Sequence, residues 1–592
     1  MLSIMTIIEY RNFSSMILLT NKKSQTKRRH LLHISKVILS NLFIFFCCLL
    51  CVECNTFKME GLPNELLIEC FKYLDGLHIF QSFDGLNTRL SILIRRIPLY
   101  IDFRTISTSN LRDICMKLIS SSDINKQIYS LKLTSNNPFQ KQLLEHEFNF
   151  IHLRSLSFID LDQSKLNINF SKLSHLHCYH QFRMNKILSA LPISQIRILT
   201  LQELNSSHNF PTILSSITNL RICKCNDDII HDILTYGTKL IYLRLDIVHS
   251  NVLKRKSMTT LRDLQQNHPS TSLKQLKIIG FSSDFETLTN LLKRTINLEI
   301  LTLVYYHDDK LFRVNDWQYF IHSTLIKLKK FNFICKYINT IEHKQIRQVF
   351  QQFQNDFWLN EYKWYTECTL SNDFSTIYTI PYIHNSYTLE SFSDQFFNST
   401  IDRRNIYANV NYVKFNADVI TNQYAYYFPY VKTLSIDNCC LNRNYFDLLK
   451  TIVNLTNLNE LHILSKCQLD DSSILLDIVK QSSNLSMLNI DSRMLRLLFV
   501  NHELCKYLSK MIRKLTLIAA CDANEEFDQM NKFWQTFENL EELDCTIEKR
   551  QSIRLILESL PRLSHLNIRL KTARIVKDFE IFTKEIAKKL GV

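Results

Sequence analysis

The sequence predicts an α/β solenoid: a small all-α unit, then an irregular array with one strand and one helix per repeat. Three observations predict it. Segments opening on Asn-Leu and alternating like a strand recur at spacings near multiples of about 27 residues. Helical stretches with a single apolar face lie between them. Ahead of the array, a proline opens a short amphipathic helix unlike anything that follows.

Length agrees with an array. A chain of 592 residues is too long for one simple core unless that core repeats. Hydrophobic residues make up 46% and charged residues 21%, a folded composition rather than a disordered one. Only 6 Gly and 9 Pro are present, so few positions can make the positive-φ turns of a Gly-rich nucleotide site. The formal charge is +15, of which residues 1–58 contribute +6; beyond them basic runs stay short, as in Lys254–Arg255–Lys256. Nucleic acid binding needs a basic patch or stripe, so no nucleic acid partner is expected.

Residues 1–56 form a basic and hydrophobic extension. "VILSNLFIFFCCLLCV", residues 37–52, is free of charge and follows "KKSQTKRRH". Three readings compete: a membrane anchor, a cleaved signal, or translated sequence upstream of a start at Met59. Five N-x-S/T sites (Asn169, Asn205, Asn398, Asn454, Asn484) add little to a secretory reading, since an Asn-rich chain meets so short a pattern by accident. Asn484 directly precedes a repeated Leu, which gives it a structural reason. Of 17 cysteines, Cys70, Cys178, Cys223, Cys335 and Cys545 sit in apolar runs, where a thiol acts as a small hydrophobe. Reduced thiols and a cytoplasmic or nuclear location follow; membrane anchorage through residues 37–52 is the alternative. Cys51 and Cys54 make a lone CxxC, too little for zinc.

The helical unit covers residues 57–105. Pro63 suits a helix start, and Leu67, Cys70, Phe71 and Leu74 then fall on one stripe. Asp75–Gly76 stops the helix, and a second stripe runs through Phe83, Leu86, Leu90 and Leu93 to Pro98. So small a unit sits near the limit for an independent core, and its apolar surface calls for a partner. Residues 60–103 resemble the F-box: Leu62–Pro63, Glu65, Leu66–Leu67, Phe71 and Leu74 match that family's opening, although "LNTRLSIL" lacks its usual tryptophan. The resemblance implies docking onto a Skp-type adaptor, and through it a cullin, by Leu62, Pro63, Leu66, Leu67, Phe71 and Leu74. The alternative is an ordinary helical hairpin packed on its own protein.

The array covers residues 106–592. Its best copies are "NLRICKC" (219), "NLEILTL" (297), "NLNELHI" (457), "NLSMLNI" (484) and "NLEELDC" (539), with leucine intervals of 78, 160, 27 and 55. Weaker copies at 240, 273, 328, 431 and 563 fill the gaps. Each is a short strand with alternate side chains inward. Stretches such as "SSILLDIVK" supply the helices, with Ile474, Leu475, Ile478 and Val479 on one face. Residues 125–570 thus resemble leucine-rich repeats, which implies a curved sheet with helices on the convex side. The family's Asn or Cys after the strand is mostly missing, with Cys439 the best match, so tight Asn-ladder turns are not expected. Residues 334–409 break the period: "FWLNEYKWYTECTL" and "IYTIPYIH" read as aromatic strands, either a hairpin inserted into the array or a degenerate pair of repeats.

Catalytic motifs are absent from the sequence, and repeat arrays supply extended binding surfaces rather than closed pockets. No enzyme activity and no cofactor are expected. "HLHCYH" (His175, His177, Cys178, His180) places two histidines on one strand face, short of a metal site. Outward strand positions in the C-terminal repeats carry an excess of acids. Target binding is therefore expected at Asp437, Glu460, Met487, Asn489, Asp491, Glu542 and Asp544, with a Lys/Arg-bearing segment as ligand; an ordinary solvated face is the alternative. The whole reads as a substrate-recruiting adaptor of a cullin-type (SCF) ubiquitin ligase. The competing readings are a membrane-anchored leucine-rich-repeat receptor and an intracellular repeat scaffold without ligase function.

Overall fold

The computed structural model describes residues 63–71, 74, 76, 79, 83, 85–103, 122–134, 150–159, 172–179, 193–204, 213–246, 248–249, 272–281, 285–307, 312–338, 341–371, 374–390, 392–397, 405–416, 426–437, 440–521, 527–547, 556, 558–563 and 565–570. Leu62, His180, Cys439 and the run 37–52 lie outside them. The chain divides into two compact units, one through Asn219 and one from Leu220.

The first unit opens with α1 (Asn64–Phe71) and α2 (Thr88–Ile94). Asn87 caps α2 by accepting from the Leu90 amide at 2.8 Å, the usual service of an Asn at a helix start. Gly85 precedes it at φ +84, a backbone region that other residues enter only at a cost. Pro98 ends this helical stretch, and Leu99–Asp102 then forms β1, parallel to β2 (Ile128–Thr134). The array therefore begins inside the segment expected to be wholly helical, because Leu99 and Ile101 alternate with Tyr100 and Asp102 and so present a strand period. After α3 (Ser122–Gln127) and β2 come β3 (Ser155–Ile159), β4 (His175–Cys178) and β5 (Ile198–Glu203), all parallel. Leu131, Leu156, Leu176 and Leu199 stand in one buried column across β2 to β5.

The second unit continues the pattern with β6 (Asn219–Asn226), α4 (Asp227–Tyr236), β7 (Tyr242–Leu245), β8 (Val248–His249), β9 (Gln275–Phe281), α5 (Phe285–Leu292), β10 (Ile300–His307), α6 (Val314–Thr324) and β11 (Lys330–Ile338). Its inward column runs Leu243, Leu276, Leu301, Phe331. After α7 (His343–Gln352) the direction of pairing changes. β12 (Thr366–Ser371) and β13 (Phe374–Thr379) form an antiparallel hairpin, β13 pairs with β11, and β15 (Phe392–Phe397) pairs with β12. "FWLNE", expected as strand, is instead a π-helical turn. There the aromatic side chains fill a core: Trp358 is buried 4.9 Å from the Phe353 ring, and burial rather than β-propensity decides the local backbone.

A second, wholly parallel sheet then builds from β14 (Ser386–Glu390), β16 (Tyr412–Asn416), β17 (Thr433–Ile436), β19 (Glu460–Ile463), β21 (Met487–Ile490), β22 (Lys514–Cys521), β23 (Glu542–Ile547) and β24 (His565–Leu570). The short β18 (Cys440–Leu441) and β20 (Gln468–Leu469) pair outside it. Leu434, Leu461, Leu488, Leu515 and Leu543 form its inward column, covered by α8 (Arg443–Ile452), α9 (Ser472–Gln481), α10 (Leu495–Val500), α11 (His502–Met511) and α12 (Phe527–Thr536). One face of this sheet is thus apolar core; the other is open. The architecture is a leucine-rich-repeat-like α/β solenoid.

The Asn of the three C-terminal Asn-Leu pairs makes a ladder the sequence did not predict. Asn457 Nδ2 donates to the Pro429 carbonyl at 2.9 Å, Asn484 to Thr456 at 2.9 Å and Asn539 to Ser509 at 3.2 Å. Each satisfies a turn carbonyl one repeat back, the task expected of an Asn placed after the strand. Among the described residues, no helix is long and apolar enough to cross a membrane.

Candidate functional site

Parallel pairing, in register up to a bulge after Thr516 in β22, stacks equivalent positions on the open face of the second sheet. One row runs Thr433, Glu460, Met487, Lys514, Glu542, His565; the next runs Ser435, His462, Asn489, Thr516, Asp544, Asn567. Met487 and Asn489 are half-buried while Leu488 and Ile490 are fully buried, so β21 alternates as its sequence suggests.

Two features of this face differ from the acidic strip that the sequence suggests. Asp491 is 1% exposed and is not part of it. β21 ends at Ile490, and Asp491 turns to cap the following helical turn, accepting from the Arg493 amide at 3.0 Å and its guanidinium at 2.6 Å. The hydrogen bonds from Arg493 hold its carboxyl below the usual range. The other acids are matched by neighbours: Asp437 with Lys414 at 3.0 Å, Glu542 with Lys514 at 2.8 Å, and Asp544 with Arg569 at 2.8 Å. Glu460 accepts from Thr433 at 3.1 Å. In-register stacking sets a Lys on one strand beside an acid on the next, which a count along the sequence does not show. The face is a mosaic of both signs.

At its centre three neighbouring strands carry side-chain atoms with no hydrogen-bond partner among the described residues: Ser435 Oγ, His462 Nε2 and Asn489 Oδ1. Glu460 lies 3.7 Å from His462 Nε2, beyond hydrogen-bond distance. Burial lowers the His462 pKa, which favours the neutral ring with one donor and one acceptor. Buried polar atoms are ordinarily satisfied, so this cluster suits the amides and carbonyls of an incoming chain.

The helical unit divides its own stripe. Leu67 and Phe71 are fully buried with Leu90, Leu93 and Ile94, and the Phe71 ring lies 5.2 Å from that of Phe83. They form the core of the hairpin and are not available to a partner in this conformation. Leu74 is half-buried. Pro63 is exposed, as is Leu66 at 52%, and on the same unit Leu86 and Ile92 are 66% and 48% exposed. Gly76 is buried where a Cβ would lie 3.1 Å from the Tyr100 carbonyl oxygen, so the helical stretch packs closely onto β1.

On β4, Leu176 and Cys178 point inward while His175 and His177 stay half-exposed. Burial pushes the Cys178 thiol up to about 12, leaving it inert as a ligand or nucleophile. Among the described residues, no group of three His, Cys, Asp or Glu is placed to hold a metal ion. The described cysteines are free thiols.

One cluster escaped the sequence reading. "LIYLRL" and "LKQLKI" hold Arg244 and Lys277 at the same place in each copy, and the strand register brings Arg221 of "NLRICKC" beside them on the open face of β6, β7 and β9. Aligning the copies in the sequence matches Arg244 with Lys277 but sets Lys224 in line with them; only the hydrogen bond from the Asp246 amide to the Ile222 carbonyl shows that Arg221 is the third member.

No family model matches the sequence, and no curated protein matches it. Among solved structures the chain is similar to an internalin from Listeria monocytogenes, at 13% identity and a TM-score of 0.22, covering 78% of this chain and 94% of that one. It is also similar to a chain from the yeast Rad7–Elc1 complex, at 13% identity and a TM-score of 0.29, covering 85% and 95%. The strand register described above, not these similarities, defines the repeat architecture.

Proposed function

We propose that the chain is a recognition subunit, with an open repeat sheet that holds a protein target and a helical unit that docks a Skp-type adaptor of a cullin ubiquitin ligase. One observation carries the docking half. The helical hairpin closes its own core with Leu67 and Phe71 and still leaves Leu66, Leu86 and Ile92 in solvent. Three large apolar side chains exposed on so small a unit mark a contact surface. The target half draws on the unpartnered atoms of Ser435, His462 and Asn489, flanked by Thr433, Glu460 and Met487. Ubiquitin transfer itself would belong to the partners; this chain would only position the substrate. Co-purification of the full chain with a Skp-type adaptor tests the reading, and failure to recover the adaptor would reject the ligase connection.

A second reading is favoured by Gly76. Its close approach to the Tyr100 carbonyl makes the helices an N-terminal cap for the sheet, as expected of an intracellular repeat scaffold with no ligase partner. The receptor reading depends on residues 37–52, outside the described residues.

A further inference from the structure

At several places along the described sheets a cation meets an acid of the neighbouring repeat. Lys132 meets Asp102 at 3.0 Å, Lys274 and Lys329 flank Glu299 at 3.4 and 2.8 Å, and Lys514 meets Glu542 at 2.8 Å. The row through β6, β7 and β9 departs from this. Lys277 pairs in register with Arg244, and the Asp246 amide donates to the Ile222 carbonyl at 2.9 Å, which sets Arg221 alongside Arg244. Three cations therefore stand on three adjacent strands, about 5 Å apart from one to the next. Like charges side by side on a sheet are destabilising.

Among the described residues, Asp246 reaches two of them. It accepts from Arg221 at 2.7 Å and from Arg244 at 2.6 Å, so both its oxygens are engaged. Burial pushes its carboxyl up, and the hydrogen bonds from Arg244 and Arg221 more than offset this, so it stays ionised. Lys277 is half-buried, and among the described residues no carboxylate lies within 4 Å of its ammonium group. Burial and then the neighbouring Arg244 depress its pKa, and Asp246 offsets this only in part. The same field reaches His384, whose pKa is lowered to about 4 by burial and then by Lys277, Lys336 and Arg244. Beyond Lys277 the row continues in uncharged side chains, Thr302 and Asn332, hydrogen-bonded to each other at 3.2 Å.

We propose that the open face at Arg221, Arg244 and Lys277 docks an anionic side chain, carboxylate or phosphate, presented by an extended segment of the target protein. Charge complementarity selects the occupant: one further anion beside Lys277 supplies the third cation with the counter-charge that Asp246 gives the other two. The row is only about 10 Å wide and half-buried, which fits a single anionic group and not the long phosphate track of a nucleic acid. This inference rests on the target-binding half of the proposed function and names the chemistry of the target. It is independent of the adaptor.

Fluorescence anisotropy with the purified full chain tests it. The probes are three short fluorescein-labelled peptides of one sequence, with a central glutamate pair, a phosphoserine or a lysine pair. The wild type should bind one or both anionic peptides and not the lysine peptide; the tighter of the two identifies the source of the anion. Lys277→Gln, which keeps the side chain's bulk and removes its charge, should weaken that binding about tenfold with an unchanged melting curve. Lys277→Glu should abolish it. No binding of either anionic peptide, equal affinity for wild type and Lys277→Gln, or lysine-peptide binding as tight as the anionic would each overturn the proposal. No adaptor is present in the assay, so its outcome is separate from that of the docking test.

Discussion

The Tyr407 hydroxyl lies 2.8 and 2.9 Å from the two carboxylate oxygens of Glu367, whose side chain is completely buried. Gln395 also donates to Glu367, and the Tyr378 hydroxyl stands 2.9 Å from that of Tyr407 and 3.4 Å from that of Tyr387. Glu367 belongs to β12, at the antiparallel end of one sheet, and Tyr387 to β14, the first strand of the next. A polar network inside an aromatic core thus ties the two sheets of the second unit together. A buried carboxylate is costly unless hydrogen-bonded, so the donors are what make Glu367 tolerable there.

Removing a donor should therefore cost more than removing the charge with it. Tyr407→Phe is expected to destabilise the second unit by about 2–3 kcal/mol in urea unfolding, since the carboxylate keeps its burial and loses its main partner. Adding Glu367→Gln to that variant should recover part of the loss, because the remaining group is neutral. A Tyr407→Phe protein as stable as the wild type would show that the network does not hold the junction.

Strand register makes a sharper test. Leu488→Asp puts a charge into the buried leucine column and should cost about 4 kcal/mol or more, unfolding the repeats cooperatively. Met487→Asp, one residue away on the open face, should change stability by about 0.5 kcal/mol or less. Thermal melts of the pair decide it, and the reverse ranking would mean that the register is off by one.

Much of this was legible in the sequence because apolar spacing reports directly on burial. The Leu of each Asn-Leu pair and the two alternating positions after it locate Leu461, Leu488 and Leu543, and period alone gives the repeat. What the sequence hid depends on contacts between repeats. Lys414 comes to Asp437 only through the parallel register, and Asp491 looks outward by alternation but leaves the strand to cap a turn. The hairpin core shows the same limit: Leu66 and Leu67 are equally apolar, and only packing against α2 decides which is buried.

Asp491 also makes stability depend on pH. Its folded pKa is depressed by Arg493, so its contribution is complete above the ordinary Asp value near 4 and is lost as pH falls through the lower folded value. Asp491→Ala should cost about 1 kcal/mol at neutral pH, through the lost cap and ion pair. The two stability curves should converge in strong acid. A gap that stays constant as the pH falls would assign the loss to packing alone.

Docking of the helical unit turns on the difference between Leu66 and its neighbour. Leu66 is 52% exposed, so Leu66→Asp should leave the melting curve unchanged, whereas Leu67→Asp, at a fully buried position, should unfold the hairpin. If Leu66 is a contact for a Skp-type adaptor, Leu66→Asp should abolish recovery of that adaptor from a protein that is otherwise intact, because an apolar anchor at an interface centre carries a disproportionate share of the binding energy. Leu62→Ala with Pro63→Ala should do the same from the helix entry. Gly76→Leu supplies the contrast: a side chain forced against the Tyr100 carbonyl should loosen the hairpin from β1 and lower the melting temperature, whatever the adaptor does. Loss of the adaptor in the Leu66 and Leu62/Pro63 variants, without loss of stability, is the pattern of a docking unit. Full adaptor recovery from both, with Gly76→Leu strongly destabilised, is the pattern of a cap, and would leave the open sheet as the protein's working surface without a ligase behind it.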